Sequence, residues 1–460
     1  MHRLLHFLLF APALASAQFH WADANLPARS VGLRGLYNDP QEEQLLAIGL
    51  TTTAFNDFTF TVIPACNEGS WTLGSAFSGW TYTAIRYGDT LLVGGGLTEV
   101  DGVPVTGVAA YHGGTWHSFG DFNSDYVIRR LKILDDELYA VGSFAVADGT
   151  VCNGVAKRQG GRWVNVGELA YLGLNDPHFT DVIKYQGDLY VSGVVRLAPN
   201  GETGIIKYDG QTWTAPGGGI LGGFAGGRTM AAYQGELYLG GSIDLNAGNA
   251  GHMIMRWNGS EWNSVGGHLR DQYNSTAGPA RCLALLNYGD KLLAAGGFQY
   301  AGGVPAQCFA IWDGSRWCGT GDSFTGGLEC EALEVFADTL YMASGRIVNG
   351  DTVNRLVKWV EGPIEGTFCS SPVNVAEVAL PITPSVYPNP GNGLFTLSAP
   401  GLAKTRYRIV DPLGRVVSQG LLGPQGATQL DLEHAAAGLY NVILEPAKGG
   451  ALGIKLIVTD

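Results

Sequence analysis

A reactive site in this chain would have to be assembled from its nine histidines, seven cysteines and 41 carboxylates. The histidines are His2, His6, His20, His112, His117, His178, His252, His268 and His434. Beyond the leading segment, no two stand in the i, i+4 or HxH spacing that turns a pair of imidazoles toward one metal. His112 and His117 flank one hairpin turn that recurs elsewhere without histidine, so they read as solvated turn residues. The sequence contains no HExxH, GxSxG or P-loop. The glycine run Gly217–Gly227 is followed by no GK[ST] and reads as a connector. No metal or cofactor is expected, and no nucleophile, acid or base stands out.

The cysteines suggest structural chemistry. None sits in CxxC or zinc spacing. Cys308 and Cys318 lie equidistant from Asp313, which suggests a bridge across one hairpin. Cys282 and Cys330 each stand three residues before an apolar anchor, Leu285 and Leu333. They occupy equivalent places in neighbouring units and can bridge if their Cα atoms come within about 7 Å. Cys66 and Cys369 would tie the first unit to the end of the last, leaving Cys152 free. Buried, unbridged thiols are the competing expectation. For recognition, the candidates are Tyr171 and His178 on one connector, and His268, Arg270, Asp271 and Tyr273 on another. Aromatic and polar side chains together suit a glycan or protein ligand, and solvated loops without a ligand are the alternative.

These residues are positioned by a repeat. One column reads Leu45, Leu91, Leu138, Leu189, Leu237, Leu292 and Leu340. Four residues on stand Gly49, Gly95, Gly142, Gly193, Gly241 and Gly296, with Ser344 in the last row. A third column reads Trp71, Trp116, Trp163, Trp213, Trp262 and Trp317, with Ile364 in the seventh row. Leucine to tryptophan spans 24 to 26 residues throughout, whereas tryptophan to the next leucine spans 20 to 30. Each row breaks into four short apolar runs separated by turns such as Asp101-Gly102, Asp148-Gly149 and Asp313-Gly314, pairs that accept the positive φ of tight hairpins. A four-stranded meander repeated seven times predicts a seven-bladed β-propeller. The tryptophans then act as plates between blades, and the variable connectors gather on one face as the default binding surface. The seventh row lacks its outer tryptophan, so the segment Phe19-His20-Trp21 is a candidate to supply an outer strand there.

With 68 glycines, 11 tryptophans and only 15% charged residues, the composition suits many short strands. The net charge of −13 argues against nucleic acid as a partner. Residues 1–17 combine Arg3, an apolar run and Ala15-Ser16-Ala17, the pattern of a signal peptide. No other segment approaches a membrane span.

The domain is expected over residues 18–366, and its G-G-x-F and W-D-G-x-x-W words, over roughly residues 30 to 366, resemble the kelch and galactose-oxidase-like propellers in their secreted bacterial form. That resemblance implies the fold and leaves activity open, and the copper ligands of galactose oxidase have no counterpart pattern here. Pro372, Pro381 and Pro384 punctuate a linker over 367–384. Residues 385–460 read as a small Ig-like β-sandwich. Its words, Tyr387-Pro388-Asn389-Pro390, Asp411 with Gly414-Arg415, Gly438-Leu439-Tyr440 and the strand around Lys455, resemble the C-terminal sorting domain of the type IX secretion system. The resemblance implies a Bacteroidetes-type cell, recognition by the secretion machinery, removal by a sorting peptidase, and release or attachment at the outer surface via the periplasm. Asp89, Asp338 and Asp351 open triplets similar to the O-glycosylation sequence of such bacteria. The expected function is a non-catalytic binding or structural module. The alternative is a lyase or hydrolase acting on polysaccharide at the propeller's top face.

Overall fold

The computed structural model describes residues 20–27, 29–52, 60–123, 127–169, 178–197, 201–202, 204–222, 226–271, 281–325, 329–360, 362–370, 384–399, 402–411, 415–432, 434–445 and 452–459. The segment 1–17 expected to be a signal peptide, Phe19, Tyr171, Tyr273, Gly414 and residues 371–383 of the expected linker lie outside them. The chain divides into two units, Met1–Val373 and Asn374–Asp460. Both are all-β. Among the described residues, helix is limited to two 3-10 turns, Pro216–Gly218 and Leu245–Ala247, and no sheet closes on itself.

The first unit is a succession of seven main antiparallel sheets, one for each row of the repeat, with four smaller sheets of two or three strands beside them. Their first strands are Arg29–Asp39, Thr81–Tyr87, Val127–Leu134, His178–Tyr185, Gly226–Tyr233, Cys282–Tyr288 and Ala332–Phe336. Each first strand lies against the first strand of the next sheet, and Ala332–Phe336 lies in turn against Arg29–Asp39. Every second strand alternates its side chains between two seams. Leu91 and Val93 pack toward the first sheet, and Leu92 toward the third. Seven apolar clusters result, each shared by two neighbouring sheets, the last joining Leu45 and Cys66 to Tyr341 and Leu356.

The tryptophan column stitches these seams. Trp163 and Trp317 are fully buried. Each indole N–H reaches back about one repeat to the preceding sheet: Trp116 to Ser75 Oγ (2.8 Å), Trp163 to Phe119 O (2.9 Å), Trp213 to Val166 O (3.0 Å), Trp262 to Pro216 O (2.8 Å) and Trp317 to Val265 O (2.9 Å). A buried indole needs such an acceptor. Trp71, in the first sheet, donates instead to Ala24 O at 2.8 Å. Ala24 follows the strand Trp21–Asp23, which pairs antiparallel with Leu356–Trp359 and is the outer strand of the seventh sheet (Trp21↔Trp359). Ile364 is buried in the same region.

Between neighbouring first strands, buried side chains do the work of a ladder. Thr83 Oγ1 accepts Leu131 N–H (3.2 Å), Asp181 Oδ2 accepts Met230 N–H (2.8 Å), and Thr229 Oγ1 accepts Leu285 N–H (3.3 Å). This accounts for Thr83, Asp181 and Thr229 being buried polar residues.

Among the described residues one disulfide is formed, Cys318–Cys369, and Cys66, Cys152, Cys282, Cys308 and Cys330 are buried outside it. All three pairings expected from spacing are therefore corrected. The hairpin pairs Trp312 with Trp317 and Ile311 with Cys318, so its turn centres between Gly314 and Ser315, not on Asp313. Cys308 thus falls outside the ladder, with φ +61°, immediately before the third strand. Cys369 adds a short strand to the sixth sheet opposite Cys318, while Cys66 stays in the seam between the seventh and first sheets. Cys282 and Cys330 belong to different seams.

The second unit stacks a three-stranded and a four-stranded antiparallel sheet around one core that includes Phe395, Leu397, Ile409, Tyr440 and Leu456.

Candidate functional site

The glycine column and the interior of the first unit have one cause. Six of the seven first strands carry a β-bulge at the same place. The extra residue pushes the first strand's backbone toward the second strand. A Cβ on Gly142 would lie 2.1 Å from Val127 O, and one on Gly296 would lie 2.1 Å from Arg281 O, so only glycine fits. In the seventh sheet no such register shift is present, and there the column reads Ser344.

A bulge re-aims the side chain of its unpaired residue. The bulged residues are Arg34, Tyr82, Arg129, Thr180, Arg228 and Leu283, each skipped by the register of its ladder. Glu331, immediately before Ala332–Phe336, holds the corresponding place in the seventh sheet. These residues interact across the sheets. Arg34 pairs with Glu331. The Arg129 guanidinium lies 4.2 Å above the Tyr82 ring, and that of Arg34 lies 5.4 Å above the Trp80 ring. Trp80 and Tyr82 stack at 6.3 Å, 20° from parallel. Arg281 Nε stands 3.6 Å from Glu329.

Further along the same strands is a cavity of about 230 Å³ to which all seven contribute, among them Tyr37, Tyr82, Lys132, Asp181, Thr229, Leu285 and Glu334. Asp181 is buried and holds Lys132 at 3.4 Å and Arg130 at 3.6 Å. Burial pushes the Glu334 carboxyl up to about 7, against the lowering effect of amide hydrogen bonds from Val335 and Asn38. Burial likewise raises the Tyr37 phenol, whose oxygen accepts Arg86 N–H at 2.7 Å.

The residues expected to recognise a ligand are placed differently. Leu269–Arg270 pairs with Tyr300–Ala301, the hairpin between the second and third strands of the sixth sheet. Phe324–Thr325 pairs in the same way with Ile347–Val348 of the seventh. Connectors and those hairpins therefore meet at the end where the first strands begin. His268 lies beside Arg270 and His252; burial first, then the Arg270 charge and the neighbouring His252, pushes its imidazole down to about 4. His252 is buried and also lowered, chiefly by burial, with Asp244 and Asp271 opposing. His178 belongs to another sheet, where its Nδ1 bonds Ser143 Oγ. The structure thus groups His268, Arg270 and Asp271 but keeps His178 apart from them, and Tyr171 and Tyr273 are outside the described residues. Among the described residues no three His, Cys, Asp or Glu side chains cluster to hold a metal.

Sequence reasoning passed over the bulged column. A signal for it exists: Tyr82, Arg129, Thr180, Arg228, Leu283 and Glu331 each stand thirteen residues before the glycine or serine column. It is a variable, largely polar position inside an otherwise constant repeat.

In the second unit the motif residues brace the last strand and a turn. The Asn389 side chain donates to Lys455 O (2.7 Å) and accepts Ile457 N–H (2.9 Å), and Gly391 continues the contact through Ile457 O and Thr459 N–H. Asp411 accepts both the backbone N–H (3.0 Å) and the Nε–H (2.7 Å) of Arg415. Gly438 opens a strand paired with Val458, and the Tyr440 hydroxyl donates to Ala436 O at 2.7 Å. Pro388 and Pro390 both follow cis peptide bonds.

Residues 385–459 match the family described as the secretion system C-terminal sorting domain. The C-terminal unit is a type IX secretion sorting domain. Such a domain marks the chain for secretion to the cell surface or beyond and implies interaction with the secretion system. No helix among the described residues is long and apolar enough to cross a membrane. No curated protein matches the chain. Among solved structures it is similar to PorZ, described as an essential bacterial surface component of the type-IX secretion system of human oral-microbiomic Porphyromonas gingivalis. The identity is 15% and the TM-score 0.43, with 91% of this chain and 58% of that chain covered. The chain thus spans a little over half of that protein's length.

Proposed function

We propose that residues 18–366 form a seven-bladed, kelch-like β-propeller that acts as a non-catalytic binding module, released from or held at the outer surface of a Bacteroidetes-type cell. Residues 1–17 direct the chain to the periplasm. The sorting domain then hands it to the type IX machinery, and a sorting peptidase cuts in the linker over 367–384. The observation that carries this reading is the recurrence of one bulge at one place in six first strands. It supplies a set of side chains free of the seams, converging from all round a rigid scaffold. The lateral contact of each first strand with the next, returning from the seventh to the first, supports the propeller.

The test has two arms. Removing residues 385–460 is expected to leave the protein inside the producing cell, whereas fusing them to a fluorescent cargo exports it. A glycan and protein array probed with residues 18–373, which keep the Cys318–Cys369 bridge, then reads binding. Export that does not depend on 385–460 would end this reading.

Glu334 favours a second reading. A carboxyl held near 7 in a cavity with Tyr37 and Lys132 has the proton affinity of a general acid or base. A polysaccharide lyase or hydrolase using it would lose activity with Glu334→Gln and show new chain ends on incubation with its polymer.

A further inference from the structure

The bulged column gives the centre of the first unit a charge opposite to that of the whole chain. The bulged Arg129 and Arg228 meet there with Arg281, just before its first strand, and Arg34, midway along Arg29–Asp39, lies with Arg355 and Glu331 beside them. Against them stand Glu329 and Glu331, engaged by Arg281 and Arg34. Arg228 has no ion pair among the described residues, and its Nε is buried without a hydrogen-bond partner, as is that of Arg355. Burial, then Arg281 and Arg129, pushes the Arg228 guanidinium below its usual value. A guanidinium that is crowded by its own kind and short of acceptors is an unfavourable arrangement on its own. It becomes favourable when an oxyanion fills the gap, since guanidinium N–H groups match carboxylate and sulfate oxygens in pairs. In a chain of net charge −13, a cationic centre also sets where an anion lands.

A second feature narrows the ligand. Trp80 is 40% exposed and stacks on Tyr82, with Arg34 and Arg129 on the two rings. A flat aromatic shelf beside guanidinium groups fits a pyranose, whose C–H face packs on the indole while its acid group reaches the arginines. An acidic peptide would use the arginines and leave the shelf without a flat partner. We propose that this end of the first strands binds an anionic saccharide, its carboxylate or sulfate held by Arg228 and Arg129 and its ring resting on Trp80. The proposal rests on the non-catalytic binding reading above and names the ligand class for it.

The full chain is titrated with trigalacturonate, a κ-carrageenan hexasaccharide, cellotriose and hexaglutamate, with tryptophan fluorescence and calorimetry as readouts. Saturable binding of trigalacturonate or of the carrageenan oligosaccharide is expected, the tighter of the two identifying carboxylate or sulfate. Cellotriose should bind at least tenfold more weakly. Arg228→Gln and Arg129→Gln should each weaken the anion about tenfold or more, the sensitivity to salt should fall with them, and Glu331→Gln, which frees Arg34, should strengthen it. Trp80→Ala, at an exposed site, should weaken saccharide binding with an unchanged melting temperature, so a misfolded arginine variant does not leave the matter undecided. Equal binding of cellotriose, no binding of either anionic sugar, indifference to Arg228→Gln in a folded variant, or preference for hexaglutamate would each overturn the proposal. Cleavage of bound trigalacturonate would support this site while removing the non-catalytic reading, and failure to bind would leave tail-dependent export intact.

Discussion

The indole N–H of Trp71 donates to the carbonyl oxygen of Ala24, 2.8 Å away in the outer strand region of the seventh sheet. An indole N–H bond to the preceding sheet recurs at every tryptophan of the column, to a backbone carbonyl except at Trp116, which uses Ser75 Oγ. Here, however, the preceding sheet is the last one. Trp71→Phe keeps a ring in the seam but leaves the Ala24 acceptor unpaired, at a cost of about 1 kcal/mol. Trp317→Ala, which empties a fully buried site, should cost about 3–5 kcal/mol. Urea unfolding of the two variants should rank them in that order.

The bulge and the glycine column make a second prediction. In Gly142→Ala the new methyl meets Val127 O at 2.1 Å and Arg129 N at 3.0 Å, both backbone atoms. The bulge must flatten or the strand must move, so a loss of about 2–4 kcal/mol is expected. The Arg129 side chain should shift with it, read as weaker binding of any ligand that Arg129 holds. Loss of stability without a change in the Tyr82–Arg129 contact would separate the two effects.

Thiol counting checks the disulfide. The five cysteines outside it are buried, and burial raises the thiol of Cys152 to about 11, so thiolate is scarce. Alkylation of the native protein should mark almost none of them. Unfolding without reductant should expose five, and with reductant all seven. Cys318→Ser should cost about 2–4 kcal/mol, because the bridge closes a long loop in the unfolded chain.

Glu334 sets a pH dependence. Folded, it holds its proton up to about pH 7; unfolded, it releases it near about 4.3. Between these values the folded state binds more protons, so its stability falls as pH rises, and the penalty is complete above 7. Its size is of the order of 3 kcal/mol. Glu334→Gln should therefore raise the melting temperature at pH 8 and leave it nearly unchanged at pH 4.

Much of the scaffold was legible because its columns are apolar or steric and hence constant. Leu138, Gly142 and Trp163 answer to the same neighbours in every row, and repetition exposes them. The Trp21 strand was legible because the seventh row ends in Ile364 and leaves a vacancy for it. The disulfide was not, because counting from Asp313 misplaces the turn, and register is fixed by backbone pairing that letters do not display. The site was not, because Arg34, Arg129 and Arg228 differ from Thr180 and Leu283 in the same column. What they share is a backbone irregularity, visible only as the glycine it forces thirteen residues later, or fifteen after Arg34. In the longest connector, Leu269 and Arg270 instead pair with Tyr300 and Ala301 in a small sheet, with His268 just before it.

Trp21 and Trp359 face each other across one ladder though 338 residues separate them in the chain. A strand made among the first is completed by one made near the end of the unit. Until residue 359 emerges, the seventh sheet lacks its partner and two large apolar faces, one at each end of the array, have nothing to cover them. Closing so long a loop is slow, and the open array is prone to stick to its like. Timing is thus written into the topology: whatever escorts this chain out of the cytoplasm must keep it from assembling, or from aggregating, until nearly all of the unit has been synthesised.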